Sequence, residues 1–219
     1  MCMNPNTEKD IWEWLDQDKT IPYLQLDIND IPYKEIYKEA LAVKDQAIPH
    51  RDYGQGGGWS SLCLHGISST KTNAWEQYEE NKGLTEDQID YKWTDIADQC
   101  PITTEYFKNK FPYRQYKRLR FMWLEPGGKI SLHRDSKQRT FSPVNIAINN
   151  PIGCDFNFKN KGTVPFKPGV AFLIDVGQHH EVINNSNEVR LHIIAHGKRH
   201  YKKWIEILER SWEKFGYED

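Results

Sequence analysis

Four side chains in this sequence have the types and spacing of a metal centre with an anion clamp. His133 and Asp135 stand two apart in Leu132-His133-Arg134-Asp135, just after the turn Glu125-Pro126-Gly127-Gly128. In an extended chain successive residues point to opposite faces, so this spacing puts the imidazole and the carboxylate on one face and Arg134 on the other. His180 lies 47 positions beyond His133, in Gln178-His179-His180-Glu181-Val182, and Arg190 follows 10 residues later at the head of the apolar run Val189 to Ala195. Two imidazoles and one carboxylate on adjacent strands cap a triangular face of an octahedral ion and leave three positions open, the facial triad that suits Fe(II) and dioxygen. A buried Arg one strand further on matches a ligand that carries its own carboxylate. The plainer reading is a surface His–Asp pair near a turn and a polar strand end at His180. The order of these residues along strand-like runs, with Gly and Pro turns between them, favours the metal centre.

The elements that must hold these residues are short strands. Runs at 118–124, 129–134, 143–149, 154–158, 163–166, 170–175, 180–184 and 189–196 are separated by Pro-Gly, Asn-Pro and Lys-Gly turns. Eight such runs predict a double-sheet jelly roll, a mainly β, cupin-like double-stranded β-helix with flanking helices. Upstream, Ile21 to Ile28 alternates with period two and Trp59 to His65 reads as a further strand. Helices are expected at 8–17, behind Asp30-Ile31-Pro32 with Asp30 as cap, from Ala74 to Glu80 behind Asn73, and from Pro101 to near Phe111. Thr85 with Gln88 has the capping-box spacing. A last helix, Lys198 to Phe215, carries Trp204, Leu208, Trp212 and Phe215 on one stripe; its basic start reads as a solvated face, since Glu206, Glu209 and Glu213 follow. Gly54-Gln55-Gly56-Gly57-Gly58 lacks the Lys-Ser/Thr of a phosphate loop and reads as a flexible loop, with a lid over the site as the functional alternative.

Nothing in the composition separates these pieces. With 219 residues and no Pro/Ser-rich linker, a single domain spanning 1–219 is expected: a helix-and-strand flanking region over 1–117, a jelly-roll core over 118–197 and a C-terminal helix over 198–219. A hydrophobic content of 38% is low, but eight Trp, eleven Tyr and nine Phe compensate, because each aromatic buries a large area. A net charge of −2 gives no global field toward nucleic acid. The four cysteines are scattered without a CxxC pair and read as reduced thiols. The polar start shows no signal-peptide core and no run approaches membrane-spanning length, so the expectation is a cytoplasmic protein that engages neither membrane nor nucleic acid.

A resemblance joins these features. The stretches Arg118-Leu119-Arg120-Phe121, Leu124-Glu125-Pro126-Gly127-Gly128, His133-x-Asp135, Asn145 to Pro151, Phe166-Lys167-Pro168-Gly169, His180-Glu181-Val182, Asn184 and Arg190-Leu191 resemble the aspartyl/asparaginyl β-hydroxylase-like branch of the Fe(II)/2-oxoglutarate-dependent oxygenases. Trp59 and Cys100-Pro101 extend it weakly upstream. The resemblance implies that His133 and His180 hold iron, with Asp135 as the carboxylate that some members of the branch lack, and that Arg190 pairs with 2-oxoglutarate. It implies oxidative decarboxylation of 2-oxoglutarate to succinate and CO2, with O2 consumed and an unactivated C–H of an amino acid, peptide side chain or related small molecule hydroxylated. Choosing His180 over His179 rests on the His-Glu-Val match and the step to Arg190. In that picture Asn145, an amide on an apolar strand that needs a partner, is placed to reach the cosubstrate. His192 shares a face with Arg190 and is placed to orient it. Arg139 is a weaker candidate, for a substrate carboxylate, against its reading as a surface loop arginine.

Two other classes stay open at this point. One is a cupin-like enzyme with a different metal reaction, which Arg190 argues against and succinate release decides. The other is a non-catalytic binding module on the same scaffold, decided by iron content after anaerobic reconstitution. Within the oxygenases, nucleic-acid demethylases carry a second Arg six positions after the cosubstrate Arg, where this chain has His196.

Overall fold

In the computed structural model, which describes Lys9 and residues 22–50, 57–135 and 143–216, the longest strands set the frame. Strand β5, Tyr113–Leu124, puts Leu119, Phe121 and Trp123 into one core on its outer side and Arg118, Arg120 and Met122 toward a cavity on the other. Strand β12, Arg190–Arg199, runs antiparallel to it in the register Arg190↔Leu124 through His196↔Arg118. It divides in the same way, with Leu191, Ile193 and Ala195 outward and Arg190, Ile194 and His196 on the cavity. The period-two geometry of a strand makes both sortings one event.

Around this pair lie β1 (Tyr23–Leu26), β2 (Ile48–Pro49), β3 (Trp59–Gly66), β4 (Lys92–Trp93), β7 (Val144–Ala147) and β10 (Ala171–Ile174), in an eight-stranded sheet ordered β1-β10-β7-β12-β5-β3-β2 with β4 on β3. A four-stranded sheet, β6-β11-β8-β9, is built from β6 (Lys129–His133), β8 (Cys154–Phe158), β9 (Gly162–Thr163) and β11 (His180–Asn184). Leu124, Ala147 and Phe172 of the large sheet meet Ile130, Phe156 and Val182 of the small one in a second apolar layer. Two antiparallel sheets face to face with a shared core make the expected jelly roll. All eight expected core strands are present. The run expected at 163–166 is paired only at Gly162–Thr163, because Pro165 has no N–H to give a ladder, although Val164 and Phe166 still bury their side chains.

The flanking region is less separate than its sequence suggests. β1 pairs with β10 and β3 pairs with β5, so both extend the large sheet. Helices α1 (Tyr33–Ala42), α2 (Asp95–Gln99), α3 (Pro101–Asn109) and α4 (Tyr201–Phe215) cover its outer face through Ile36, Ile96, Phe107, Trp204 and Leu208. Several expected boundaries move. Asp30 does not cap α1, whose N-cap is Pro32 without a side-chain bond; its carboxylate accepts from the Tyr106 hydroxyl at 3.2 Å instead. The helix expected over 74–80 is a pair of 3-10 turns, Trp75–Gln77 and Glu79–Asn81, with the Asn81 amide bonded to the Trp75 carbonyl. Thr85 and Gln88 do form the capping box, on a 3-10 turn. α4 begins at Tyr201 because Lys198 and Arg199 complete β12 against Gln115 and Tyr113. Of the expected helix at 8–17 only Lys9, in helical conformation, is among the described residues, and residues 54–56 of the glycine loop lie outside them. Among the described residues no helix is long and apolar enough to cross a membrane.

Candidate metal centre and its cavity

His133 ends β6 directly opposite His180, which begins β11, and a bulge between His180 and Val182 re-aims the strand there. The two rings lie 4.4 Å apart, centre to centre. Each imidazole is oriented by its own backbone: His133 donates Nδ1–H to the Ser131 carbonyl at 2.7 Å, and His180 donates Nδ1–H to the Gln178 carbonyl at 2.8 Å. A carbonyl only accepts, so Nδ1 carries the hydrogen in each ring and Nε2 is the nitrogen left to bind a metal. Fixing the tautomer through a carbonyl is how metal-binding histidines are held. Asp135 lies beyond the end of β6 rather than on it; a bond from its N–H to the Val176 carbonyl at 2.8 Å holds it near the histidines. Its Oδ1 is 4.0 Å from His133 Nε2. One ligand atom from each of His133, Asp135 and His180 lies within 4.8 Å of the others.

The surroundings suit a cation site. His180 is 4% exposed and stacks on Phe156 at 5.0 Å with 8° between planes. Burial first, then the neighbouring His133, pushes its pKa below the usual histidine value, which keeps the ring neutral and able to bind a metal. His179 is exposed, and its carbonyl accepts from Lys159 N–H. Its side chain is not part of the cluster.

Arg190 sits in the same cavity, of about 510 Å³, which also receives His133, Asp135, His180 and Asn145. It is 3% exposed, and no Asp or Glu pairs with it among the described residues. Burial lowers the guanidinium to about 10, which leaves it charged at neutral pH. Its Nη2 donates to His192 Nδ1 at 2.8 Å, while its Nε has no partner. The direction of that bond follows from a chain of amides. Asn150 donates Nδ2 to the Cys154 carbonyl at 3.0 Å, which turns its Oδ1 to His192 Nε2 at 3.3 Å. His192 therefore holds its proton on Nε2 and accepts at Nδ1. Burial, followed by the Arg190 charge, keeps this ring neutral. Asn145 Oδ1 lies 2.7 Å from the same Nδ1. His192 and Asn145 thus orient Arg190 from behind, and the charge with its spare donor faces a site that requires an anion. A 2-oxoglutarate carboxylate fits that donor set.

Asn184 secures the frame. It is fully buried and donates Nδ2 to the carbonyls of Leu124, Glu125 and Glu188, tying the turn before β6 to the loop before β12. Residues with no role in the sequence reading also line the cavity: Trp59, Arg118, Arg120 and His196. The even-numbered alternation of β5 and β12 was the signal for the last three. Arg139 lies outside the described residues.

A profile of the aspartyl/asparaginyl β-hydroxylase family matches residues 32–200. No curated protein matches. Among solved structures, a Pseudomonas putida prolyl-4-hydroxylase is similar at 13% identity and a TM-score of 0.46, over 85% of this chain and 97% of that one. A viral collagen prolyl hydroxylase from Paramecium Bursaria Chlorella virus-1 is similar at 12% identity and 0.45, over 82% and 96%. A Trichoplax adhaerens prolyl hydroxylase is similar at 12% and 0.47, over 91% and 94%.

Proposed function

The chain belongs to the aspartyl/asparaginyl β-hydroxylase family, and from that premise we propose that it is an Fe(II)- and 2-oxoglutarate-dependent dioxygenase hydroxylating an unactivated C–H bond of an amino acid, a peptide side chain or a related small molecule. The observation that carries this reading is Arg190: a buried, charged guanidinium without an acidic partner among the described residues, in the cavity that also holds His133, Asp135 and His180. A different metal reaction on the same scaffold would have no use for that charge.

His133, Asp135 and His180 would hold the iron, and Arg190, steadied by His192 and Asn145, would pair with the cosubstrate carboxylate. Iron and 2-oxoglutarate together supply the oxidant, with one atom of O2 entering succinate and the other the product. The protein's part is orientation and exclusion of water. Ile130, Phe156 and Val182 line the cavity beside the histidines with apolar surface, which strengthens the electrostatic hold on both ligands. A cytoplasmic location belongs to the same reading and is supported by the three described cysteines, Cys63, Cys100 and Cys154, being free thiols.

The test is a mass-spectrometric screen of amino acids and short peptides for a gain of one oxygen, with succinate measured in parallel. Product oxidation matched by succinate is expected. Oxidation without succinate would replace the reading with a 2-oxoglutarate-independent reaction, and absence of Fe(II) binding after anaerobic reconstitution would reduce the chain to a binding module.

A further inference from the structure

The connection from β10 to β11, residues 175–179, supports two of the three candidate metal ligands. Its Val176 carbonyl accepts from the Asp135 N–H at 2.8 Å, and its Gln178 carbonyl accepts from His180 Nδ1–H at 2.8 Å. His133 is held differently, by the Ser131 carbonyl of its own strand. Whatever fixes the path of this connection therefore sets Asp135 and His180 relative to each other, and bears less directly on His133.

Asp175 is the residue placed to fix it. It is 8% exposed, and its backbone N–H donates to the Pro22 carbonyl at 2.9 Å, just before β1. Its carboxylate turns back into the connection: Oδ1 accepts from Gly177 N–H at 3.1 Å and Oδ2 from Gln178 Nε2 at 3.1 Å. Its carbonyl accepts from Gln178 N–H at 3.2 Å. A carboxylate oxygen that accepts from the N–H two residues on closes an Asx turn. With the N–H groups of Gly177 and Gln178 engaged inside the turn, the carbonyls of Val176 and Gln178 are presented outward, to Asp135 and His180. At the far end the His179 carbonyl accepts from Lys159 N–H at 2.9 Å, so the connection is anchored on both sides.

A buried carboxylate is costly unless its surroundings use it. Among the described residues no cation pairs with Asp175, whose side-chain partners are the Gly177 N–H and the Gln178 amide. Nor is it a further ligand, since the cluster of possible ligand atoms is His133, Asp135 and His180. An apolar side chain at this position would avoid the cost of burial and leave both donors without their acceptor. What the carboxylate serves is the shape of the turn.

We propose that Asp175 is a positioning residue for the metal centre: its carboxylate fixes the turn whose carbonyls set the Asp135 backbone and the His180 tautomer. The inference rests on the oxygenase reading for what a bound metal does, but the positioning can be read in the metal-free protein. Labelled with ¹⁵N and held at a pH above the histidine range, the wild type should show His180 as the Nδ1–H tautomer alone and the Asp135 amide protected from exchange. Asp175→Ala should mix the His180 tautomers and speed Asp135 amide exchange by at least about tenfold, as local opening does, while His133 keeps its tautomer. Asp175→Asn retains an acceptor for the Gly177 N–H and should restore the wild-type pattern. A mixed His180 tautomer in the wild type, or an unchanged one in Asp175→Ala, overturns the proposal. Equal loosening of His133 would mean a general loss of packing, and an Asn variant as disturbed as the Ala variant would assign the effect to charge; either also overturns it.

A second arm reads the metal. Co(II), titrated well below the melting temperature and followed by its visible absorption, should bind Asp175→Ala about 10- to 100-fold more weakly than the wild type, the usual loss for a supporting partner of a metal ligand, and Asp175→Asn within about threefold of it. A residue that served stability alone would lower the melting temperature and leave this affinity as it was, so an unchanged Co(II) affinity in folded Asp175→Ala overturns the proposal. Should Asp175→Ala not fold, Asp175→Leu, close to Asp in shape and without an acceptor, is read in its place by the same criteria. Failure of the wild type to bind Co(II) would count against the metal centre, and with it the oxygenase reading, and leave the tautomer and exchange results to decide the positioning.

Discussion

Replacing Arg190 by Met removes a charge and keeps most of the side chain's length. In the protein as it stands that charge is 3% exposed, donates Nη2 to His192 and has an Nε without a partner. Truncating one member of a buried charge pair costs about 2–5 kcal/mol, so the dissociation constant for 2-oxoglutarate should rise by about 30-fold to 4,000-fold. Iron affinity should hold, because Arg190 is outside the cluster of His133, Asp135 and His180. The apoprotein gives an independent check. Without cosubstrate the buried guanidinium is a desolvated cation facing an empty partner position, a cost that Met does not carry. The apo melting temperature should therefore stay level or rise. At a cosubstrate concentration 100 times the wild-type constant, the wild type gains about 2.7 kcal/mol of stability, and a variant binding 30-fold more weakly gains only about 0.9 kcal/mol. The measurement is an anaerobic Fe(II) titration followed by the metal-to-ligand charge-transfer band, with thermal melts in parallel. An unchanged titration in the variant, with the wild type binding normally, refutes the pairing. A steep fall in the apo melting temperature would show instead that Arg190 serves the fold.

His180→Ala should weaken Fe(II) binding by more than about 100-fold, beyond what loss of a supporting residue costs, while His179→Ala changes it little; equal losses in an anaerobic iron titration would contradict the assignment. Gly197→Ala should destabilise the protein by about 2–4 kcal/mol, since an added Cβ would clash with backbone at Gln115; an unaltered denaturant midpoint would mean that the strand pair relaxes around a side chain. Asp27 is held down to about 2 from 3.8 by hydrogen bonds, from Lys214 first and then from Asn29 and Arg210. A carboxylate depressed by folding stabilises above its unfolded value and loses that contribution as pH falls from about 4 to 2. Asp27→Asn should therefore lower stability at pH 7, by no more than about 1 kcal/mol because both cations are exposed, with the difference from the wild type shrinking as pH falls from about 4 through 2; a constant difference across that range would exclude the linkage.

What the sequence determined by itself is local. Alternation along 118–124 and 189–196 announced two strands and sorted their faces, because the period of two is a property of one extended chain. That His133, Asp135, His180 and Arg190 belong together was legible because metal and anion chemistry restrict residue types sharply, and the structure brings the four to one cavity. His180 could be preferred to His179 only by resemblance, and the structure separates the two through a strand start that buries one ring and exposes the other. Asp135 shows the limit of the local argument. The spacing put it on a strand beside His133, but β6 stops at His133, and the carboxylate is held near the histidines by a backbone bond to Val176, 41 positions away. The same holds for the addition of β1 and β3 to the large sheet, the meeting of His133 with His180, and the network of amides behind Arg190. Each depends on which strand lies beside which and in what register. Register is set by burying one face of every strand at once, a condition that no single stretch of sequence contains.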